Sequence, residues 1–220
     1  MKYEQERTQI TIFLRRMLLS GLTVGSGGNI SVRIAGTDAF CISPTAVAYD
    51  SITAADIVVM RSDGSILDSA RTPSSEWRMH AAVYQARAEV IAVVHTHSPY
   101  AATFACLREE IPAVHYLLGF AGRKVPLAPY ATYGSEELAA AAVTALGNEF
   151  HAVLLATHGL LAVGRNLEHA FTVAEETEFV ARVYWQARAI GTPAVLPDDE
   201  MQRITERFRH YGSQENTHDE

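Results

Sequence analysis

The sequence predicts an α/β protein with a mainly antiparallel sheet covered by helices in a single domain, which is either α+β or three-layer α/β/α, and we take the three-layer form as the prediction. Three observations lead to this fold class. Short strand patterns cluster early in the chain, longer helical patterns follow them, and no linker rich in proline, glycine or serine divides the 220 residues. A chain of this length can bury most of its apolar surface in one core. We therefore expect one domain over residues 1–220, with a mobile polar tail from about residue 212.

Two periodicities place the elements along the chain. Apolar residues at helical spacing, including Ile10, Leu14 and Met17, predict a first helix over residues 3–21 that ends at Gly21. Apolar runs then predict strands at 29–34, 39–43, 57–60, 90–95, 111–115, near 125–128, 152–156 and 160–163, and a hairpin turn at 62–65 that leads into Ile66 and Leu67. Helical patterns predict further helices at about 73–88, 98–107, 134–147 and 166–190.

Composition and charge exclude several classes of function. The net charge is −7 and the chain has no basic stripe with interleaved aromatic residues, so we expect no nucleic-acid partner. No apolar stretch approaches the ~20 residues of a membrane span, so we expect neither a membrane partner nor a targeting segment. Cys41 and Cys106 are too few for a disulfide framework and fit a reducing compartment. These features favour a cytoplasmic protein.

Three histidines at predicted strand ends indicate a metal site. His95 and His97 follow the apolar run 90–94, and side chains two apart on a strand point to the same face. His158 follows the strand pattern at 152–156. A single histidine at a strand end is more often a buried polar residue than a ligand, but three in this arrangement favour ligation. Three neutral imidazoles with an open fourth position are typical of catalytic zinc.

An anion site is indicated beside the predicted helix 73–88. Thr72 reads as its N-cap and Pro73 as its first residue, which would leave the backbone N–H groups of Ser74 and Ser75 at the positive end of the helix dipole. A phosphate fits there, although ordinary capping explains Thr72 and Pro73 equally well. The glycine-rich loop 25–29 can present further N–H groups to an anion, or can simply connect a helix to a strand.

Glu76 is the natural partner of the three histidines. A carboxylate beside zinc can coordinate the ion and can accept a proton, so Glu76 is a fourth ligand or a general base. Favourable interaction with the helix dipole is the alternative explanation for a glutamate in this position. His80 lies four residues later on the same helix face and is a competing ligand, ranked lower because three histidines are already supplied.

Seven segments of the chain, taken in order, resemble one known family. The resemblance is to the zinc-dependent class II aldolase/adducin family, and it runs from about residue 5 to residue 212 with similar spacing. The segments that carry it are 27–33 (GGNISVR), 42–45 (ISPT), 73–80 (PSSEWRMH), 94–97 (VHTH), 111–116 (IPAVHY), 128–134 (APYATYG) and 158–160 (HGL).

The resemblance implies roles for the candidate site residues. His95, His97 and His158 would bind one Zn²⁺ per chain, or another divalent ion such as Mn²⁺ or Co²⁺, and Glu76 would be a ligand that leaves the metal to act as acid and base. The positions that match the family's phosphate site are Gly28, Asn29, Thr45, Ser74 and Ser75. Ala46 is a departure, because the family usually has glycine there, and this puts the loop shape or a backbone contact to phosphate in question.

Two tyrosines are implied in catalysis by the resemblance alone. Tyr116 matches a catalytic tyrosine that a neighbouring subunit delivers in a C4-type homotetramer, and it would serve the aldehyde oxygen. Tyr211 matches a tyrosine on the C-terminal tail. Without the resemblance, ordinary aromatic packing would explain both residues.

The resemblance further implies a reaction, with alternatives. The expected activity is reversible cleavage of a ketose 1-phosphate, L-fuculose 1-phosphate or a related deoxy-sugar phosphate, to dihydroxyacetone phosphate and a short aldehyde such as lactaldehyde. Pentulose-phosphate 4-epimerases of the family typically carry Asp in place of Glu76 and lack the equivalent of Tyr116. A methylthioribulose-1-phosphate dehydratase would use similar ligands. An adducin-like structural domain would keep the fold without the ligands that this chain retains.

Overall fold

A computed structural model describes residues 1–210 of the chain as ten strands and six α-helices. The strands are β1 (Asn29–Arg33), β2 (Ala39–Ile42), β3 (Val58–Arg61), β4 (Ile66–Asp68), β5 (Ala92–Thr96), β6 (Ile111–Pro112), β7 (Lys124–Val125), β8 (Leu127–Ala128), β9 (Ala152–Leu155) and β10 (Gly159–Gly164). The helices are α1 (Glu4–Leu19), α2 (Trp77–Ala86), α3 (Pro99–Leu107), α4 (Glu136–Leu146), α5 (Leu167–Ile190) and α6 (Asp198–His210). Short 3₁₀ helices span Ala54–Asp56 and Tyr116–Phe120.

One sheet of eight strands organises the molecule, in the order β4-β3-β2-β1-β5-β10-β9-β8. Every neighbouring pair is antiparallel except β8 and β9. β5 lies between β1 and β10, so that His95 is opposite Asn29 on one side and Leu161 on the other. This central position explains why the run that precedes His95 is continuously apolar rather than alternating.

The sheet divides the buried residues into two hydrophobic clusters. Val94 belongs to the cluster that includes residues of α1, α3 and α5, whereas its neighbour Val93 belongs to the cluster that includes residues of α2 and α4. Successive side chains on a strand point to opposite faces, so helices cover the sheet on both sides. The predicted three-layer α/β/α fold with a mainly antiparallel sheet is therefore confirmed.

The start of α2 differs from the prediction. The segment before the helix pairs with the chain that follows β2, because the Ser74 N–H donates to Ser43 O (3.0 Å) and the Thr45 N–H donates to Thr72 O (3.0 Å). These long-range hydrogen bonds satisfy backbone groups that a helix would otherwise leave exposed. The prediction of a helix from residue 73, with Thr72 as its N-cap and Pro73 as its first residue, is wrong: α2 starts at Trp77, after Glu76.

Smaller differences lie in the C-terminal half. The predicted strand 111–115 is limited to Ile111–Pro112, and the region near 125–128 forms two short strands. The sequence reading missed α6, whose Met201 is fully buried. Over the described residues, no helix combines the length and apolar character that crossing a membrane requires. The predicted mobile tail from about residue 212 lies outside the described residues.

Candidate active site

Four side chains from three parts of the fold converge at one end of β5. His95 lies near the end of β5 and His97 just beyond it, His158 lies in the turn between β9 and β10, and Glu76 precedes α2. One ligand atom from each of these residues lies within 4.8 Å of all the others. We call these four residues the metal cluster. The structure thus brings together the ligand set that the sequence predicted.

The separations inside the metal cluster fit a divalent cation. Nε2 of His95 is 3.1 Å from Nε2 of His97 and 3.2 Å from Oε2 of Glu76, and Nε2 of His158 is 3.4 Å from Oε1 of Glu76. Nitrogen and oxygen ligands at ~2.0–2.1 Å from a tetrahedral Zn²⁺ lie about 3.3 Å from one another. The donor set and its spacing therefore match a site of this kind.

Hydrogen bonds around the metal cluster direct its lone pairs inward. Nδ1 of His95 is 2.9 Å from the carbonyl oxygen of Leu160, so that Nδ1 carries the proton and Nε2 presents its lone pair. Oε1 of Glu76 is buried and has no hydrogen-bond partner among the described residues. A buried carboxylate oxygen without a donor is costly unless something positive binds it. Both observations fit a bound cation.

The electrostatic environment favours the ligand forms of three members of the metal cluster. At His95 the Glu76 carboxylate outweighs burial and raises the pKa, an effect that a cation in place of the proton would oppose. Burial, and then the nearby His95, lower the pKa of His97 to about 4 and that of His158 to about 4. Burial opposes ionisation of Glu76, but His95, His158 and Asn29 outweigh it and hold the pKa of the carboxyl well below its usual range. At neutral pH the cluster therefore contains a carboxylate and at least two neutral imidazoles.

His80, the competing ligand candidate, lies behind the metal cluster rather than in it. Its ring is fully buried, with Nε2 2.5 Å from Oδ1 of Asn29 and Nδ1 2.7 Å from Oγ of Ser31. Burial lowers the pKa of His80 to about 3, so the ring is neutral. Because both ring nitrogens are hydrogen-bonded, His80 is not a metal ligand in this arrangement.

A cavity of about 380 Å³ opens beside the metal cluster, a volume within the usual range of small-molecule sites. His97, His158 and Glu76 line it, and His95 is fully buried. The cavity is also lined by the five residues that matched a phosphate site and by Ala46 beside them, which we together call the phosphate corner: Gly28, Asn29, Thr45, Ala46, Ser74 and Ser75.

The phosphate corner differs in detail from the sequence-based picture. The Ser74 N–H is used by Ser43, so that the expected pair of free N–H groups at Ser74 and Ser75 is reduced. The hydroxyl groups of both serines remain candidate ligands, although Ser74 Oγ also accepts from the Glu76 N–H at 3.3 Å. Gly28 has φ 71° and a Cβ there would lie 2.4 Å from His95 O, so only glycine allows the loop to approach β5 this closely.

Two residues that line the cavity have a left-handed backbone without being glycine. Ala46 has φ 56° and Thr157, next to His158, has φ 58°. Such conformations cost about 1–3 kcal/mol each and persist where the surroundings enforce them. The backbone of Ala46 therefore has a left-handed conformation, which glycine adopts more easily than alanine. Glycine is also the residue that the family usually has at this position.

The structure places Tyr116, the first implied catalytic tyrosine, outside the lining of this cavity. Tyr116 starts the 3₁₀ helix Tyr116–Phe120, is 51% exposed and does not line the cavity, and its ring lies against His115 and Phe208. Tyr211 lies outside the described residues. The sequence reading assigned no role to Tyr130 or Tyr133, which line the cavity and are 60% and 68% exposed. Both tyrosines lie in the segment 128–134, one of the seven that carry the resemblance, so the sequence did contain a signal for their place at the site.

Comparisons with known proteins agree with this geometry. A family model described as class II aldolase and adducin N-terminal domain matches residues 8–185. The chain is 45% identical to 5-deoxy-D-ribulose 1-phosphate aldolase of Bacillus thuringiensis serovar kurstaki, over 97% of this chain and 100% of that protein. It is 42% identical to 5-methylthioribulose-1-phosphate/5-deoxyribulose-1-phosphate aldolase of Rhodospirillum rubrum, over 90% and 88%. A solved structure of L-fuculose 1-phosphate aldolase matches with a TM-score of 0.92 and 41% identity, over 95% and 98%.

Proposed function

The chain belongs to the class II aldolase and adducin family, and we propose on that premise that it reversibly cleaves a ketose 1-phosphate to dihydroxyacetone phosphate and a short aldehyde. Family membership confirms the resemblance read from the sequence, and the aldolase names of the relatives agree with the expected class of enzyme. The observation that carries the proposal is the metal cluster at the cavity wall, with the phosphate corner beside it.

We propose that His95, His97, His158 and Glu76 hold one Zn²⁺. A bound divalent ion supplies Lewis acidity, which stabilises the negative charge that develops beside a ketone when the adjacent carbon–carbon bond breaks. The side chains of His97 and His158 reach the cavity, where a substrate can approach, whereas His95 is enclosed by the sheet. Catalytic zinc sites leave one side of the metal accessible to substrate, whereas structural zinc sites are closed by protein ligands, and this arrangement resembles the catalytic kind.

The remaining residues are assigned to binding and proton transfer. Cleavage breaks the C3–C4 bond of the ketose, the C4 hydroxyl loses its proton as the aldehyde forms, and C3 gains a proton. We assign the proton at C3 to Glu76, whose carboxylate faces the cavity, and the phosphate to the hydroxyl and N–H groups of the phosphate corner.

We assign the aldehyde end of the reaction to the two tyrosines that the resemblance implies, Tyr116 and Tyr211. Because Tyr116 is exposed and does not line the cavity of its own chain, we propose that a neighbouring copy of the chain delivers it to the aldehyde oxygen in a C4-type homotetramer. Each chain would form a single domain, and four such chains would form the assembly. Tyr211, on the C-terminal tail, is proposed to act at the same end of the substrate.

The first candidate substrate is a 5-deoxypentulose 1-phosphate, which would give acetaldehyde as the second product. This choice rests on the relative named 5-deoxy-D-ribulose 1-phosphate aldolase, which is 45% identical over its full length. L-Fuculose 1-phosphate, which would give lactaldehyde, is the second candidate. The aromatic rings of Tyr130 and Tyr133 provide an apolar surface at the cavity for the short aldehyde end in either case.

Product analysis with three substrates tests the proposal. Purified enzyme loaded with zinc is incubated with 5-deoxyribulose 1-phosphate, L-fuculose 1-phosphate and 5-methylthioribulose 1-phosphate, and dihydroxyacetone phosphate is measured. We expect at least one of the three substrates to release dihydroxyacetone phosphate and an aldehyde in equal amounts. An epimerised sugar phosphate would instead indicate an epimerase, and loss of water without dihydroxyacetone phosphate would indicate a dehydratase.

A further inference from the structure

Five buried polar side chains form a continuous row that ends at the metal cluster. We call Tyr84, Ser31, His80, Asn29 and Glu76 the polar row. The contacts along it are 2.6 Å (Tyr84 Oη to Ser31 Oγ), 2.7 Å (Ser31 Oγ to His80 Nδ1), 2.5 Å (His80 Nε2 to Asn29 Oδ1) and 2.9 Å (Asn29 Nδ2 to Glu76 Oε2). All five residues are at most 6% exposed, so water does not compete for these contacts.

Elementary hydrogen-bond chemistry fixes the direction of donation along this row. An ionised carboxylate can only accept, so Asn29 presents its NH₂ group to Glu76 and its carbonyl oxygen to His80. That oxygen can also only accept, so Nε2 of His80 carries the proton. Nδ1 of the neutral ring then accepts from Ser31, whose oxygen accepts in turn from Tyr84. Reversing any one contact would leave a buried group unpaired.

We propose that His80 is a positioning residue, which holds the amide of Asn29 in the one orientation that donates to Glu76 and so fixes the Glu76 carboxylate against the metal cluster. The proposal rests on the proposed role of Glu76 as ligand and base. Without a donor at Oδ1, the Asn29 amide can rotate by half a turn and place its oxygen against the carboxylate. Two acceptors facing each other repel, and the carboxylate then loses its place beside His95.

The composition of the row argues against simple core packing. His80 follows Glu76 by four residues, one turn along α2, and its ring is completely enclosed between that helix and β1. An apolar side chain of similar size would fill this space without needing the two polar partners that His80 has, and replacing a buried polar group together with its partners by apolar groups can be nearly neutral for stability. A fully satisfied polar row specifies one geometry, and its end point is a metal-cluster carboxylate.

Two amide substitutions at His80 separate positioning from packing. In His80→Gln the amide nitrogen reaches the place of Nε2 and can still donate to Asn29. In His80→Asn the shorter amide reaches only the place of Nδ1, so the donor to Asn29 is lost. We expect His80→Asn to weaken Zn²⁺ affinity by about 10–100-fold, measured by competition with a chromophoric chelator, and His80→Gln to stay within about threefold of the wild type.

A second readout and a control complete the test. Deuterium exchange into dihydroxyacetone phosphate should fall more in kcat than KM rises for His80→Asn, because Glu76 is displaced, whereas only the Asn29 amide of the phosphate corner turns. His169→Asn, the same substitution at the start of α5 outside the polar row, should leave both readouts unchanged. Equal Zn²⁺ affinity of His80→Asn and wild type, or equal loss in the Asn and Gln variants, would overturn the proposal.

The wild-type protein provides a test that needs no variant to fold. A long-range ¹H–¹⁵N spectrum of the zinc-loaded enzyme at neutral pH should show His80 as the neutral tautomer with its proton on Nε2. A proton on Nδ1, or a doubly protonated ring, would contradict the direction of donation on which the proposal depends. Neither this spectrum nor Zn²⁺ affinity requires cleavage of a sugar phosphate, so failure of the proposed reaction would remain distinguishable.

Discussion

The metal cluster and the phosphate corner face the same cavity but are built in different ways. The metal cluster takes His95 and His97 from the end of a central strand and His158 from a turn between two others, so strand register places three of its four members. The phosphate corner comes from the start of β1 with the residue before it and from two connecting segments, and its backbone is left-handed at Gly28 and Ala46. Many hydrogen bonds together fix the register of the sheet, whereas only a few hydrogen bonds hold each connecting segment.

This difference predicts two kinds of mutational response. The metal cluster supplies one ion with four ligands, so loss of one ligand should remove the chemistry almost completely. The phosphate corner supplies several small donors to one anion, so each loss should weaken binding by a limited amount. The predictions below use this contrast, beginning with the largest expected effect.

His97→Ala should abolish aldol cleavage and most of the bound zinc while leaving the fold intact. His97 reaches the cavity and is not part of the buried core, and a catalytic ion is rarely the main support of a core of this size. Elemental analysis should show about one zinc per chain in the wild type. Circular dichroism and thermal unfolding serve as controls, and loss of folded structure in the variant would indicate a structural metal site instead.

Glu76→Gln should lower both deuterium exchange into dihydroxyacetone phosphate and aldol cleavage, by the 10²- to 10⁴-fold typical of general acid–base catalysis. The amide keeps the shape of the side chain but cannot accept the proton at C3. It can still accept a hydrogen bond from Asn29, so the local packing should survive. Unchanged exchange in the variant would assign the base to another residue.

Tyr116→Phe should separate the two halves of the reaction. The substitution keeps the ring that lies against His115 and Phe208 and removes only the hydroxyl group proposed to serve the aldehyde oxygen. Deuterium exchange should persist, while carbon–carbon cleavage should fall by about 10²-fold or more. Equal loss of both activities would refute the assigned role, provided that the mass of the oligomer, measured by light scattering, is unchanged.

Ser75→Ala should act on the phosphate corner alone. Deleting one charge-assisted hydrogen bond should weaken binding of dihydroxyacetone phosphate by about 1–3 kcal/mol, with a smaller effect on turnover at saturation. Isothermal titration calorimetry measures this directly, with Ser65→Ala, an exposed serine in the turn between β3 and β4, as the control. An unchanged affinity would place the phosphate elsewhere.

Ala46→Gly should have the smallest effect and should act on stability rather than binding. In the folded state, the left-handed backbone is about 1–2 kcal/mol less favourable for alanine than for glycine. In the unfolded state, glycine has more conformational freedom, which offsets about 0.5–1 kcal/mol of the gain in stability. We expect the free energy of unfolding to rise by at most about 1 kcal/mol, with phosphate affinity not weakened. Ala48→Gly serves as the control, because Ala48 lies in the same loop but outside the left-handed region, and this substitution should lower the free energy of unfolding. A decrease for Ala46→Gly would show that its backbone is not strained.

The same contrast explains how much the sequence could predict. The pair His95 and His97 could be predicted because an apolar run and a two-residue spacing are local features of the sequence. The three-layer fold could be predicted from the order of such local patterns along the chain. The start of α2 could not be predicted, because the segment 72–75 fits a capped helix locally, while the hydrogen bonds of Thr72 and Ser74 to the chain after β2 are long-range. The hydrogen bonds of His80 are also long-range, so its place behind Asn29 required the structure.

The central claim is that the metal cluster carries the carbon–carbon chemistry at this cavity. Aldol synthesis from dihydroxyacetone phosphate and acetaldehyde, followed while a strong chelator removes metal and zinc is then added back, tests it most directly. The proposed site predicts that activity disappears with the metal and returns in full at about one Zn²⁺ per chain. A metal-free enzyme that retains full activity in the chelator would contradict the claim.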